Sequence, residues 1–502
     1  MNNKVFNRIS RLSIALLPLI GSYQALATDL AKPQTPELTP CYAKGMSDRL
    51  LCGSIMRPIS ENPQDGEFAL HFTIIPAIKN AHPDEMVLAF AGGPGQSATE
   101  IAGAFNKALH IARQKRAILL VDQRGTGKSK LLQCDTPSLS ELMAYADDPE
   151  TLLADVEQES KACLAQLQVD LSHFTTPVAA ADFEAVREYL AVKGLHLYGG
   201  SYGTRIAQEY ARQYPAHVKT MTLDGVVPMQ QSLLAIGTAV EEALAAVFRD
   251  CEQDSACHAS YPTLQADYQQ LMAKLAQETV TTQVLHPRTG EQEQFVVSAN
   301  KLYSALRMAL YSKASRALIP LTIYQANKGN YSPLLGLMSG NDVAEGIAMG
   351  MHNSIVCGED WPLYQQNQAA YQETVSTPLG GQMMRTLSVG CEILQVKPVD
   401  KAFYQPLSTD IPTLLLSGGL DPATPPSWAE LAMVKMTNAK HFVAQGATHI
   451  VAMQSCADKL VGEFIDSAST EKIDASCLDK QTHQQFFLNI QSVEALPSVI
   501  KE

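Results

Sequence analysis

The chain has 502 residues, 46% of them hydrophobic and 18% charged, which places it among globular proteins and away from disordered or low-complexity ones. Its formal net charge of −13 argues against a nucleic-acid partner, whose affinity would come mainly from Lys and Arg on phosphates. The acidity suits cationic substrates, but many exported proteins carry it for solubility alone.

The first 27 residues do not read as fold. Lys4, Arg8 and Arg11 form a basic start, residues 12–20 an apolar run too short to span a bilayer, and Ala25-Leu26-Ala27 an A-x-A cleavage signal. A removed secretory signal over 1–27 is predicted, with an uncleaved anchor as the alternative; its loss takes the formal charge from −13 to −16. No later stretch has the ~18 uninterrupted apolar residues of a membrane span, so none is expected. All ten cysteines lie beyond residue 27, and an even count in an exported chain implies disulfides. No pair forms C-x-x-C, so no metal is expected. The simplest pairing joins neighbours, because short loops close most readily: Cys41–Cys52, Cys134–Cys163, Cys251–Cys257, Cys357–Cys391 and Cys456–Cys477.

Short apolar runs at 68–75, 86–91, 117–121, 195–198 and 220–223 read as strands, with helical patterns between them. They resume only at 413–416 and 441–444. This is the pattern of an α/β protein with a mostly parallel central sheet and helices on both faces. The gap from 229 to 405 is richer in helix-like segments, at 231–250, 260–278 and 299–315. It reads as a mainly helical cap inserted between sheet strands. The expected organisation is a signal over 1–27, core over 28–228, cap over 229–405, and core again over 406–502.

Ligands of open α/β sheets bind beyond the carboxyl ends of the strands. After the run at 195–198 comes Gly199-Gly200-Ser201-Tyr202-Gly203, followed by a helical pattern. A G-x-S-x-G between strand and helix forms a tight turn that lifts the serine hydroxyl above the sheet. Asp421 follows the strand at 413–416 and His449 follows the last strand, giving the chain order Ser, Asp, His of α/β-hydrolase triads. A serine hydroxyl needs a base to become a nucleophile. His449 would take its proton, and Asp421 would orient the imidazole and stabilise its charged form. The glycine turn Gly92-Gly93-Pro94-Gly95 ends the strand at 86–91. Backbone N–H groups of Gly92 and Gly93, with that of Tyr202, are the expected oxyanion hole. Singly, each piece has a plainer reading as a turn, a cap or a structural histidine; their shared order and strand-end placement favour catalysis.

The sequences Gly92-Gly93-Pro94-Gly95, Asp122-Gln123-Arg124-Gly125-Thr126-Gly127-Lys128-Ser129, Gly199-Gly200-Ser201-Tyr202-Gly203-Thr204 and Asp224-Gly225-Val226-Val227-Pro228 occur in that order. Together with Asp421-Pro422-Ala423-Thr424-Pro425 and His449 they resemble the α/β-hydrolase peptidases of the prolyl aminopeptidase and tripeptidyl aminopeptidase group. The resemblance runs from about Cys41 to Cys477. Where many prolyl aminopeptidases carry His before the glycine turn, this chain has Ala91, which with the many cysteines tilts toward the secreted tripeptidyl branch. Arg124 is expected to make structural hydrogen bonds. In the resembled family acidic cap residues hold the substrate's ammonium group; the candidates here are Glu359 and Asp360, with Glu241 and Glu242 weaker.

The resemblance implies an exported serine exopeptidase, periplasmic or extracellular, that needs no cofactor. It would cleave single residues or short peptides from substrates with a free N-terminus. A carboxylesterase or lipase with the same triad is the alternative. An inactive binding protein on the same scaffold is disfavoured by the complete triad. Intact mass of the exported protein should place its N-terminus near Thr28, and thiol titration of the unfolded, unreduced protein should find no free thiol. Two or more reactive thiols would contradict the full pairing.

Overall fold

The computed structural model describes residues 36–147, 149–340, 346–480 and 482–494; the expected signal segment lies outside them. The strands are β1 (Thr39–Cys41), β2 (Leu50–Pro58), β3 (Glu67–Ile75), β4 (Glu85–Phe90), β5 (Ala117–Val121), β6 (Gly194–Gly200), β7 (Val218–Asp224), β8 (Val280–Leu285), β9 (Gln292–Val297), β10 (Thr413–Gly418) and β11 (Ala439–Ala444). Nine of them form one sheet in the order β1-β2-β3-β5-β4-β6-β7-β10-β11. From β5 to β11 every neighbouring pair is parallel, with Leu88 beside Leu197 and Leu197 beside Met221. The β1–β3 edge is antiparallel. This is the α/β-hydrolase fold.

The central strands are apolar on both faces because both faces are covered. Leu88, Leu119, Leu197, Met221 and Leu415 point into one core. Their chain neighbours Val87, Leu120, Tyr198, Leu414 and Leu416 point into the other, as the two-residue strand period demands. Helix Thr176–Tyr189 adds Phe183 and Val186 to the first core and helix Gly203–Gln213 adds Ile206 and Tyr210. Helix Ala457–Ser467 closes the opposite face with Val461 and Phe464.

Between β7 and β10 the chain leaves the sheet. Helices Ile236–Gln253, Leu264–Gln277 and Ala299–Ala309 pack Val240, Leu244, Leu271, Leu302 and Leu306 around Phe295 of β9. Ala423, two residues beyond Asp421, is buried in this same core, so the inserted helices brace a loop at the sheet's carboxyl edge. The segment also holds an antiparallel β8–β9 hairpin that helical expectations overlooked. Its first strand alternates half-buried and exposed residues, so only one side has a partner.

The helices differ from expectation at their ends for local reasons. Ser232 accepts from the Leu234 N–H and shapes a 3₁₀ turn, Leu233–Ala235, ahead of the helix expected from 231. Pro262 delays the helix expected from 260 until Leu264. Ser312 caps a separate short helix, Lys313–Arg316, where one helix to 315 was expected. The five disulfides join neighbouring cysteines in the pairing expected, and no described cysteine is free. Among the described residues no helix is long and apolar enough to cross a membrane.

Candidate active site

Ser201 lies between β6 and helix Gly203–Gln213 with φ of +56°, a left-handed conformation that non-glycine residues hold only where the surroundings fix it. The flanking glycines are required by space. A Cβ on Gly199 would stand 2.4 Å from the Gly203 carbonyl oxygen, and one on Gly203 would stand 2.2 Å from the Phe90 carbonyl oxygen. The turn is therefore wedged against the end of β4, beside the glycine turn that follows it. A Cβ on Gly92 would come within 3.1 Å of the Ser201 Cβ. Gly93 has φ of +108°. Among the described residues no backbone carbonyl takes the N–H of Gly93 or of Tyr202.

Asp421 and His449 are in direct contact. The imidazole Nδ1 lies 3.0 Å from Asp421 Oδ1 and 2.9 Å from Oδ2. The carboxylate is further held by the N–H groups of Ala423 (2.8 Å) and Thr424 (3.0 Å) and by the Thr424 hydroxyl, which donates at 2.8 Å. Burial resists ionisation of Asp421. The His449 charge, its hydrogen bond and the two backbone donors outweigh that and hold the carboxyl below its ordinary value. Burial also works against a charged His449, yet Asp421 raises its pKa above the ordinary value. An imidazole whose Nδ1–H is given to a buried carboxylate presents Nε2 as its basic face.

Asp224, at the end of β7, joins the serine turn to the histidine loop. Its carbonyl accepts the Ser201 N–H at 3.0 Å. Its carboxylate accepts the N–H groups of Val451 (2.7 Å) and Ala452 (2.9 Å) and the Tyr198 hydroxyl (2.9 Å). Next to it, a Cβ on Gly225 would stand 3.2 Å from His449 Cε1. Sequence reasoning met Asp224 only as part of a motif. Thr424 likewise stood there only within a motif, and Tyr311, whose ring stands edge-on to the His449 imidazole at 5.2 Å, was missed. No spacing signal could have found Tyr311, because it reaches the site from the inserted helical segment.

Asp122 fastens the loop after the glycine turn, accepting from Ser97 Oγ (2.7 Å), Thr99 N–H (3.0 Å) and Thr99 Oγ1 (2.9 Å). Arg124 has the structural role expected of it: it is buried, forks onto Asp182 at 2.7 and 2.9 Å, and donates to the Ile59 and His173 carbonyls.

Glu359 and Asp360 must be reassigned. Both are 0% exposed. Glu359 accepts from the Thr176 N–H at 2.7 Å and its hydroxyl at 3.0 Å. Asp360 accepts from Arg205 at 3.1 Å and from the Leu233 N–H at 2.8 Å. Arg205 Nη1 also lies 3.7 Å from Glu359. Their oxygens are committed to a sealed cluster around one guanidinium, because two buried carboxylates need an internal cation. They cannot receive an ammonium without dismantling it. Of the weaker candidates, Glu241 is engaged by the Tyr303 hydroxyl at 2.6 Å. Among the described residues no group of His, Cys, Asp and Glu could hold a metal ion.

Residues 377–477 match a family described as TAP-like protein. The serine protease Hip1 of Mycobacterium tuberculosis is 23% identical over 506 residues, covering 93% of this chain and 96% of that protein. The tripeptidyl aminopeptidase of Streptomyces lividans is 33% identical over 146 residues, 27% of each chain. The proline iminopeptidase of Neisseria meningitidis serogroup A is 28% identical over 150 residues, 30% of this chain and 35% of that one.

The buried cluster makes a pH prediction. Burial raises the Glu359 pKa to about 7, against the pull of Arg205 and the Thr176 N–H. Between its ordinary 4.5 and about 7, the folded state holds a proton that the unfolded state releases. Stability from this group is therefore full below about 4.5 and is lost as pH rises through 7, by roughly 3 kcal/mol at most. Glu359→Gln keeps the neutral shape, so its stability relative to wild type should increase between pH 5 and pH 8 in urea unfolding. Parallel pH dependence of the two proteins would contradict this.

Proposed function

We propose that this α/β-hydrolase, a relative of the tripeptidyl aminopeptidases and proline iminopeptidases, is an exported serine exopeptidase acting through Ser201, Asp421 and His449. The observation that carries the reading is the buried Asp421–His449 pair, tied through Asp224 to a serine held in a left-handed turn. His449 Nε2 takes the Ser201 Oγ proton as Oγ attacks the substrate carbonyl carbon. The oxyanion is received by the N–H groups of Gly92, Gly93 and Tyr202. His449 then protonates the leaving amine, and the acyl-enzyme is hydrolysed by water activated in the same way.

Residues 229–405 serve as the cap that limits access to chain ends. Substrates are peptides with a free N-terminus, a reading supported by the names of the aminopeptidase relatives. Export to the periplasm or beyond the cell is supported by five disulfides. The carboxylesterase alternative shares the triad, and the sealing of Glu359 and Asp360 removes one feature that separated the two.

The test is turnover of tripeptide and single-residue p-nitroanilides with free and acetylated N-termini, beside a simple ester. Free-amine peptides should be cleaved, acetylated ones poorly. Ser201→Ala and His449→Ala should each lose ~10⁴-fold or more in kcat while staying folded. Cleavage of the ester alone would replace peptidase by esterase, and a variant keeping more than about a tenth of wild-type kcat would remove its residue from the triad.

A further inference from the structure

The loop carrying His449 is held in a conformation that its sequence resists. Ile450, the next residue, has φ of +63° and ψ of 93°, and it is the only β-branched residue with positive φ among the described residues. A β-branched side chain in the left-handed region is an outlier, and such strain persists only where the surroundings fix it. The strained residue sits beside the nucleophile: a Cβ on Gly200 would stand 3.5 Å from Ile450 Cδ1. β11 ends at Ala444, so its strand ladder does not reach this loop.

Two side chains hold it instead. Asp224 accepts the N–H groups on its far side, at Val451 and Ala452. On its near side the Gln454 amide meets three residues in succession. Nε2 donates to the His449 carbonyl at 2.7 Å and to the Ile450 carbonyl at 3.0 Å. Oε1 accepts the Thr448 N–H at 3.2 Å. The Thr448 hydroxyl lies 3.1 Å from the same oxygen and 2.9 Å from the Tyr311 carbonyl of the inserted segment, with one proton for the two. Gln454 is itself placed by the turn Val451–Met453, donating its N–H to the Val451 carbonyl at 3.2 Å. Asp421 orients the His449 ring, but the backbone from which that ring hangs is gripped by Gln454.

We infer that Gln454 is a positioning residue for His449, its side-chain amide holding the strained loop so that Nε2 of the imidazole stays in reach of Ser201. It touches no substrate in this role. The inference rests on the triad of the peptidase reading and deepens it by naming what places the base. The loop presents two carbonyls and one N–H to a single side chain, and a primary amide answers both kinds of group. A carboxylate of the same shape would set its charge against the two carbonyl oxygens, and a thioether would grip neither.

The experiment measures kcat and KM for the free-amine p-nitroanilides, together with the rate at which a neutral fluorophosphonate labels Ser201, in Gln454→Met and Gln454→Glu. Two variants guard against one failing to fold. Misplacing a catalytic group by about 1 Å can cost roughly 100-fold. Both variants should therefore lose about 30-fold or more in kcat and in labelling rate, with KM within about threefold of wild type. Ile450→Gly removes the strain that the amide offsets. In that background Gln454→Met should lose only about threefold, a rescue that a merely structural role for Gln454 would not give. Rates within about threefold of wild type in Gln454→Met or Gln454→Glu, or a fall undiminished in the Ile450→Gly background, would overturn the inference and leave the triad standing. Wild type labelled at Ser201 without cleaving peptides, with that labelling slowed in the Gln454 variants, would uphold it while refuting the peptidase reading.

Discussion

The hydrogen bonds of Asp224 hold this site together. One residue at the end of a central strand accepts the backbone of the serine turn through its carbonyl and the backbone of the histidine loop through its carboxylate. Those two segments are separated by about half the chain, including every inserted helix, and nothing local in sequence could register them. Burial raises the Asp224 pKa, while Ala452, Val451, Tyr198 and the nearby His449 pull it back. Three oriented donors around one fully buried carboxylate make a joint that does not slide, which a general base needs if it is to meet the nucleophile.

Charge burial sorts the rest of the molecule. Buried carboxylates are answered either by N–H and hydroxyl donors, as at Asp122 and Asp224, or by an enclosed guanidinium. The Arg124–Asp182 fork braces the loop after β5, and the Arg205–Glu359–Asp360 cluster pins the inserted segment to the helix that follows Ser201. That helix is buried along most of its length, and Arg205 on its inner side has no route to water. Placing Glu359 and Asp360 opposite it solves an internal electrostatic problem.

Much of this was legible in the sequence. Glycine spacing around Ser201 is dictated by contacts of 2.2 to 2.4 Å that no side chain survives, so the motif carried its own structural meaning. The apolar runs of β4, β5, β6, β7 and β10 stood out because both faces are buried. What escaped had other causes. The edge strands β1 and β2 lack a continuous apolar run, since β2 faces solvent at every second residue over much of its length. The β8–β9 hairpin is half solvated and blended into its helical surroundings. Glu359 and Asp360 stood as the amine anchor because the resembled family uses acidic cap residues for that purpose. Their partner Arg205 lies more than 150 residues earlier, in the helix after the nucleophile, and only the fold sets them together.

Ser201, activated by His449, is the proposed nucleophile. Treating the folded protein with a neutral fluorophosphonate, digesting it and locating the adduct by mass spectrometry identifies that nucleophile. A single adduct is expected, on Ser201, and it should not form in His449→Ala. An adduct on another residue, or Ser201 left unmodified in folded protein, would contradict it.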